Sequence, residues 1–332
     1  MSNQIQMTKC QIFGFWMLKF IGNWKFDIWI FNFMFIGNQK AVQFLSKAIE
    51  NNKLSQAYLF SGPESVGKFT LAKLFANSVI SGRNIFRNNT SLLMAKEKDE
   101  LDLIIIEPEI EEKKGIKKEK DIKIEKIKEA RKDLILYPYN GKKKILIVND
   151  AHKMTVSAQN ALLKILEEPN ETSIIILITH NDSEILPTIK SRCQKIKFFL
   201  ADAEEMGKIS GDSRNNNLID FAMGRPGLAL KMKENKEELN LKKKDFEELI
   251  KFSSAGINER LNLAEKMSAN VAEAVKKFEF WTWIIRREII KRGLSKGFFS
   301  YKTIEKIEKT LETIKNTNAN ARLAIENLFL EI

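Results

Sequence analysis

Short apolar runs alternate with longer amphipathic segments from residue 34 to about residue 200. Apolar runs of about four to eight residues are typical of strands that are buried on both faces. The segments between them, such as AVQFLSKAIENN and SAQNALLKILEE, carry apolar residues at helical spacing. This alternation predicts an α/β fold with a doubly wound parallel sheet, whose ligand lies at the carboxyl ends of the strands. The five predicted strands are centred on residues 58–61, 103–106, 144–148, 174–179 and 194–198.

The strand pattern stops after Phe199. A short helical region that contains the turn GRPG extends to about Met232, and the amphipathic helices beyond it predict a helical bundle. The predicted organisation is therefore an extension at 1–33, an α/β domain at 34–200, a small helical domain at 201–232 and a helical oligomerisation domain at 233–332.

The first 33 residues are rich in aromatic side chains and hold three of the five tryptophans. Charged and amide residues interrupt this segment too often for a membrane-spanning helix. We interpret it as an extension outside the fold, with Met34 as the true start of the protein. An interfacial membrane anchor is the alternative.

The composition is typical of a soluble globular protein, and its charge favours a polyanionic partner. The 332 residues are 44% hydrophobic and 30% charged, with a formal net charge of +12. Many of the basic residues lie in mixed-sign helical stretches, which are typical of solvated helix faces. Two cysteines, Cys10 and Cys193, are too few for a disulfide framework or a four-cysteine zinc site. With no signal peptide evident, we expect a cytoplasmic protein without a membrane partner.

A glycine-rich segment, SGPESVGKFT, follows the first predicted strand and begins the next helix. Gly62, Gly67 and Lys68 match the pattern G-x-x-x-x-G-K-[ST], in which the backbone wraps phosphate oxygens and the lysine reaches the β- and γ-phosphates. Phe69 replaces the hydroxyl that binds Mg²⁺, and Thr70 points about 100° away on the helix. The segment predicts that ATP or ADP is bound weakly or without hydrolysis. The predicted loop residues are Gly62, Pro63, Gly67, Lys68, Phe69 and Thr70.

The segment ILIVNDAHKM is an apolar strand that ends in Asn149 and Asp150. P-loop hydrolases hold the metal with an aspartate at this strand end, and a glutamate after it polarises the attacking water. Asn149 is an uncharged amide at the first position, and Asp150 has a shorter reach at the second. Together with Phe69, this predicts slow or absent hydrolysis and no metal ligands. In an alternative frame, Asp150 binds the metal and His152 orients the water.

The segment LPTIKSRC places Arg192 on a turn before the last predicted strand, at the edge of the domain. An arginine in this position can stabilise the charge on a phosphoryl group that is bound to a neighbouring subunit. We predict that Arg192 is such an arginine finger, acting in trans. The alternative is an ordinary surface arginine.

Three segments occur together in order and spacing: QAYLFSGPESVGKFTLAKLFA, SAQNALLKILEEPNETSIIILIT and LPTIKSRCQ. On these segments the chain resembles bacterial clamp-loader subunits of the AAA+ superfamily over residues 36–232, and most of all the delta-prime subunits of DNA polymerase III. The resemblance implies a P-loop AAA+ domain, a small helical lid and an all-α collar. It also implies a ring with gamma/tau motor subunits and a delta subunit, which opens the sliding clamp and loads it onto primed DNA.

The resemblance also implies roles for single residues. Delta-prime subunits are typically degenerate in their metal-binding residues and keep the SRC sequence, so Phe69 and Asn149 fit a largely non-hydrolysing member. Arg192 would then act on the ATP of the neighbouring gamma subunit. Arg225 in GRPG matches the lid arginine that contacts phosphate in active members. The strand-end and lid residues of the predicted nucleotide site are Asn149, Asp150, Thr179 and Arg225.

Two features depart from the relatives. Many of them carry a four-cysteine zinc module after the first P-loop helix, whereas residues 77–102 contain no cysteine, so we expect no zinc. The Lys/Glu-rich segment 109–128 is longer and more charged than the resemblance leads us to expect. We expect a disordered loop there, with contact to DNA as the alternative.

Two other functions are consistent with parts of the sequence. One is an active AAA+ ATPase, either a gamma/tau-type motor or a related replication-fork enzyme, and Phe69 and Asn149 argue against it. The other is a DNA-binding module that uses the net positive charge, but no stripe of alternating basic and aromatic residues stands out. No carboxylate cluster suited to two-metal chemistry is evident, so any polymerase activity would belong to the holoenzyme and not to this chain.

Overall fold

The computed structural model describes residues 35–82, 84, 86, 101–113, 116–139, 143–210, 216–293, 298–316 and 320–332. The chain divides into two compact units, Met1–Ala201 and Asp202–Ile332. The predicted extension at 1–33 and Cys10 lie outside the described residues.

Strands occur in the first unit. They are β1 (Ala57–Ser61), β2 (Leu103–Ile106), β3 (Ile110–Lys113), β4 (Ile116–Glu119), β5 (Lys144–Val148), β6 (Ser173–Thr179) and β7 (Gln194–Lys197). Five of them form one sheet in the order β2-β5-β6-β1-β7, and every neighbouring pair is parallel. Each of the five predicted strands overlaps one strand of this sheet, so the predicted parallel sheet is confirmed.

Two apolar cores cover the two faces of the sheet. Tyr58 and Phe60 of β1 lie in one core, and Leu59 between them lies in the other. Successive side chains of a strand point to opposite faces, so strands that are covered on both faces must be apolar throughout. This explains why the sequence shows continuous apolar runs. The helices of the first unit are α1 (Gln39–Glu50), α2 (Lys68–Ser81), α3 (Ile124–Ile135), α4 (Val156–Glu167) and α5 (Pro187–Arg192).

The charged segment after β2 contains a hairpin, so the expected disordered loop at 109–128 is wrong. Strands β3 and β4 pair in antiparallel fashion, with Ile110 opposite Glu119. Ion pairs link Lys120 to Glu111 at 3.3 Å and Lys126 of α3 to Glu109 at 3.0 Å. Opposite charges spaced along this segment therefore meet once the chain reverses, which the net composition of the segment did not indicate.

The second unit is helical in its described part. An aromatic cluster fills its core: Trp281 and Phe329 stack with ring centroids 6.3 Å apart, and Phe252 and Phe278 contact both rings. Trp281 is fully buried, and its indole N–H donates to the Asp245 carbonyl at 3.2 Å. The helices are α6 (Ala203–Ser210), α7 (Asn216–Phe221), α8 (Pro226–Glu234), α9 (Lys236–Ser253), α10 (Ile257–Ser268), α11 (Val271–Arg292), α12 (Tyr301–Asn316) and α13 (Ala321–Glu331).

The predicted lid–collar boundary after residue 232 falls inside α8, and only Asn235 separates α8 from α9. The division of this unit into lid and collar stays a prediction. Among the described residues, no helix combines the length and the apolar character needed to span a membrane.

Candidate nucleotide-binding site

The glycine-rich loop connects β1 to α2, and two of its positions require glycine. Gly62 has φ +148°, and a Cβ atom there would lie 2.3 Å from the Phe198 carbonyl oxygen. Gly67 has φ +92°, and a Cβ atom would lie 2.9 Å from the ring of Phe35. Both conformations are ones that side-chain-bearing residues rarely adopt. The loop therefore turns at two positions that favour glycine, and its predicted contact with phosphate stays a prediction.

Lys68, the first residue of α2, is 7% exposed and bends back over the loop. Its ammonium donates to the Gly62 carbonyl at 2.7 Å and also to the Pro63 carbonyl. Gly67 is the N-cap of helix α2, and no side-chain hydrogen bond from the described residues caps the helix there. The first backbone N–H groups of a helix have no partner within it and suit an anion. The loop thus combines a buried cation with the amino end of a helix.

A backbone hydrogen bond connects the glycine-rich loop to strand β6. The Gly62 N–H donates to the Thr179 carbonyl at 3.3 Å, which joins the loop to the end of β6. Thr179 is fully buried, and its hydroxyl donates to the Asn181 carbonyl and accepts from the Asn181 N–H, both at 3.0 Å. The Thr179 side chain therefore stabilises the turn after β6, and its predicted contact with nucleotide stays a prediction.

The two residues after β5 lie in different surroundings. The Asn149 amide donates to the Glu107 carboxylate at 3.1 Å, across the ends of β5 and β2. Asp150 adopts a left-handed conformation with φ 49°, which an aspartate tolerates better than most residues. It begins a short 3₁₀ turn, Ala151–Lys153, that brings His152 back toward the strand ends.

Asp150 contacts His180, the first residue after β6. The Asp150 Oδ1 and His180 Nδ1 atoms are 3.6 Å apart, and the rings of His180 and His152 lie 4.0 Å apart at 64°. Burial works to raise the pKa of Asp150, but the contact with His180 and the charges of His152 and Lys68 leave it below its ordinary value. Burial, together with His180, lowers the pKa of His152. The carboxylate is therefore ionised and His152 neutral at neutral pH.

Phe69, which replaces the predicted magnesium-binding hydroxyl, packs against neighbouring side chains. Phe69 packs against the core beneath α1 and α2, and the Lys73 ammonium lies over its ring at 4.7 Å. Thr70 is half-buried one position further along the helix. The side chain in the hydroxyl position thus serves packing, and an aromatic ring offers Mg²⁺ no oxygen.

Arg192 ends α5 and is exposed. Its guanidinium donates to the Thr188 carbonyl at 3.1 Å and to the Glu167 carboxylate at 3.0 Å. The next residue, Cys193, packs against the core, and burial raises the pKa of its thiol to about 12. Cys193 is therefore an inert packing residue, whereas Arg192 is exposed and can contact another molecule.

Arg225 lies in the second unit, where it precedes α8 after a turn with positive φ at Met223 and Gly224. Its backbone N–H donates to the Ala222 carbonyl at 2.8 Å. Among the described residues, its buried Nε atom has no hydrogen-bond partner. The predicted role of Arg225 in holding phosphate stays a prediction.

The structure adds two residues at the strand ends that the sequence reasoning missed. Glu107 follows β2 directly and supplies the carboxylate beside Asn149, and His180 follows β6 directly and contacts Asp150. Each is the first or second polar residue after an apolar run, IIIEP and ILITH. That position was the available signal, because carboxyl ends of parallel strands meet at one edge of the sheet.

The fold and the loop define the class of protein: an α/β domain with a parallel sheet and a P-loop, followed by a helical unit. The family described as DNA polymerase III, delta subunit, matches residues 37–201. The DNA polymerase III subunit delta' of Bacillus subtilis is 32% identical over 162 residues, which are 48% of this chain and 46% of that protein. The subunit delta' of Pseudomonas aeruginosa is 33% identical over 145 residues, 42% of each chain. Residues 37–201 are therefore similar to the delta' subunits of DNA polymerase III.

Related subunits of other types also match. The DNA polymerase III subunit tau of Bacillus subtilis is 34% identical over 165 residues, which are 49% of this chain and 28% of that protein. The matched region spans less than half the length of each of these three relatives. A solved DNA polymerase III gamma subunit-related protein from Thermotoga maritima overlaps 87% of this chain and 97% of its own, with 19% identity and a TM-score of 0.42.

Proposed function

We propose that the protein is a delta-prime-type component of a DNA polymerase III clamp loader, a ring member that contributes to hydrolysis in trans and has little or no ATPase activity of its own. The observation that carries this proposal is a phosphate-binding loop of intact backbone geometry in which Phe69 and Asn149 occupy the two positions that should bind Mg²⁺. The delta' relatives support the assignment of the α/β region.

The loop favours nucleotide binding without turnover. Gly62, Gly67 and Lys68 keep the groups that hold phosphate oxygens. Hydrolysis also needs Mg²⁺ to neutralise the charge that develops on the phosphates. Glu107 brings a carboxylate beside Asn149, but its nearest partner is the Asn149 amide itself. ATP or ADP is therefore the proposed ligand, held weakly and not hydrolysed, and zinc has no part in binding this nucleotide.

Arg192 is the proposed contribution to a neighbouring subunit. It lies at the surface, and the partner of its guanidinium is an exposed carboxylate, Glu167. An exposed ion pair of this kind is weak and exchangeable. A phosphate group of a neighbour's ATP could replace the Glu167 carboxylate, and arginine is suited to bidentate phosphate contacts.

The proposed partners are the gamma/tau and delta subunits, with the sliding clamp and primed DNA reached through the assembled complex. The match to a tau subunit supports a shared architecture among such partners. The helical collar within the second unit would join the ring. The proposed setting is the cytoplasm, where DNA replication takes place in bacteria.

The test is reconstitution with the gamma/tau and delta subunits of the same organism. Arg192→Ala should lower the clamp- and DNA-stimulated ATPase rate by at least about tenfold, because a finger in trans stabilises the transition state. The complex should still assemble, as measured by gel filtration. Arg131→Ala, which removes another exposed arginine of the same unit, is the matched control and should leave the rate unchanged. An unaltered rate in Arg192→Ala would reject the finger role.

An active motor is the second candidate, because the similarity to the tau subunit is as high as that to the delta' subunits. It predicts Mg²⁺-dependent ATP hydrolysis by the isolated chain, abolished in Lys68→Ala. The delta-prime proposal predicts no hydrolysis that Lys68→Ala removes. The isolated chain therefore distinguishes the two candidates without any partner.

A further inference from the structure

The only two histidines of the sequence lie side by side at the carboxyl ends of two neighbouring strands. His152 follows β5 by way of the 3₁₀ turn, and His180 follows β6 directly. Strands β5 and β6 are parallel neighbours, with Val148 opposite Leu177. The strand pairing thus brings together residues that are 28 positions apart, with Asp150 as a third member of the group.

The three side chains converge on one point. One donor atom from each of Asp150, His152 and His180 lies within 4.8 Å of the others, and the Asp150–His180 separation is 3.6 Å. Ligands of a tetrahedral ion with bonds of about 2.0–2.1 Å lie roughly 3.3 Å apart. Side-chain movements of about 1 Å would therefore bring all three donors to bonding distance, with no change in the strands.

His152 supplies an independent observation. Its side chain is buried, at 8% exposure, and its Nδ1 atom has no hydrogen-bond partner among the described residues. Buried polar side-chain atoms nearly always have a partner, and each exception calls for a ligand, a water or a functional reason. The Nδ1 atom belongs to the same side chain whose ring lies against His180.

We propose that Asp150, His152 and His180 form a binding site for one divalent transition-metal ion of the zinc class. Two imidazoles and a carboxylate are the ligand set that such ions prefer, whereas Mg²⁺ prefers oxygen ligands throughout. Three protein ligands leave a fourth position for water or a substrate. That position faces solvent, because the side chains of His180 and Asp150 are 36% and 29% exposed.

The proposed site differs from the four-cysteine zinc module of the relatives, because it contains no cysteine. It also does not depend on the proposed clamp-loader function, since it follows from the geometry of the three side chains alone. The positive charge of Lys68, which acts on both Asp150 and His152, works against a bound cation. Its ammonium is held on the carbonyls of Gly62 and Pro63, and the Asp150 carboxylate contacts His180 directly and offsets that charge.

The test measures Zn²⁺ binding to the full chain without nucleotide by isothermal titration calorimetry, and Co²⁺ binding by visible absorption. The expected result is one ion per chain and a tetrahedral Co²⁺ spectrum without a thiolate band. His180→Ala and Asp150→Asn should each weaken binding by at least about tenfold. Both residues are partly exposed, so these variants should fold, which circular dichroism checks.

Two control variants distinguish binding at this site from binding by other side chains of the chain. Asp182→Asn makes the same chemical change as Asp150→Asn at a carboxylate just beyond His180, and the double variant Cys10→Ser, Cys193→Ser removes both thiols of the chain. Both should bind the ion as tightly as the parent chain. The proposal is overturned if the folded parent chain binds no ion, if His180→Ala binds as tightly as the parent, or if the cysteine variant loses the ion.

Discussion

Arg192 at the end of α5 donates from Nη2 to the Glu167 Oε1 atom at the end of α4, at 3.0 Å. The two side chains are 38% and 50% exposed, so water competes for both charges. The same guanidinium also donates to the Thr188 carbonyl within its own helix. Arg192 is thus held in one orientation by contacts that are individually weak, which is the state expected of an arginine that exchanges partners.

We therefore expect the Glu167–Arg192 pair to add little to stability. Glu167→Gln should lower the free energy of unfolding by less than about 1 kcal/mol, as is usual for exposed pairs. The matched change Glu248→Gln removes the charge of the nearer of two carboxylates beside Lys277, a pair at 2.8 Å in which the lysine is 16% exposed. It should destabilise the protein by about 1–3 kcal/mol, because the acceptor that faces a poorly hydrated ammonium loses its charge. Urea unfolding of the full chain measures both, and equal effects would contradict this view of Arg192.

The loop glycines should not tolerate a methyl group. Gly62→Ala places a Cβ atom 2.3 Å from a backbone carbonyl at a φ that favours glycine, so we expect a loss of about 2–4 kcal/mol. Gly207 is the matched control, because it lies within α6 and a Cβ atom there would meet no other atom within 4 Å. Gly207→Ala should raise the stability by about 0.5–1 kcal/mol. Thermal unfolding measures both the expected loss and the expected gain of stability. If Gly62→Ala left the stability unchanged, the loop would be able to relax around the added methyl group.

Restoring two oxygen ligands should restore dependence on magnesium. In the double variant Phe69→Thr, Asn149→Asp, we expect Mg²⁺ to strengthen ATP binding by at least about tenfold, or about 1.4 kcal/mol. The parent chain should bind ATP with nearly the same affinity in the presence and absence of Mg²⁺. Phe69→Leu is the control, because it removes the ring without adding a hydroxyl. Strong magnesium dependence in the parent chain would show that Glu107 or another group already compensates.

The α/β region was predictable because its strands are buried on both faces. Tyr58, Leu59 and Phe60 are all apolar and face two different cores, so a strand of this sheet is visible as an unbroken apolar run. The glycine loop was equally visible, because Gly62 and Gly67 have conformations that few other residues adopt. The hairpin Ile110–Glu119 was not predicted, because its charged strands lack the apolar pattern on which strand prediction depends.

By itself the sequence determined the five strands of the parallel sheet, the glycine-rich loop and the order of the three motifs, and it predicted the lack of magnesium ligands. The tertiary structure decided which strand ends are neighbours, and with them the contacts of Asp150 with His180 and of Asn149 with Glu107. The physical reason is that these contacts depend on the order β2-β5-β6-β1-β7, in which β2 pairs with β5 and β5 with β6, while β1 pairs with the distant β6. Local patterns of polar and apolar residues specify that a strand is buried, but packing of the whole sheet selects its partners.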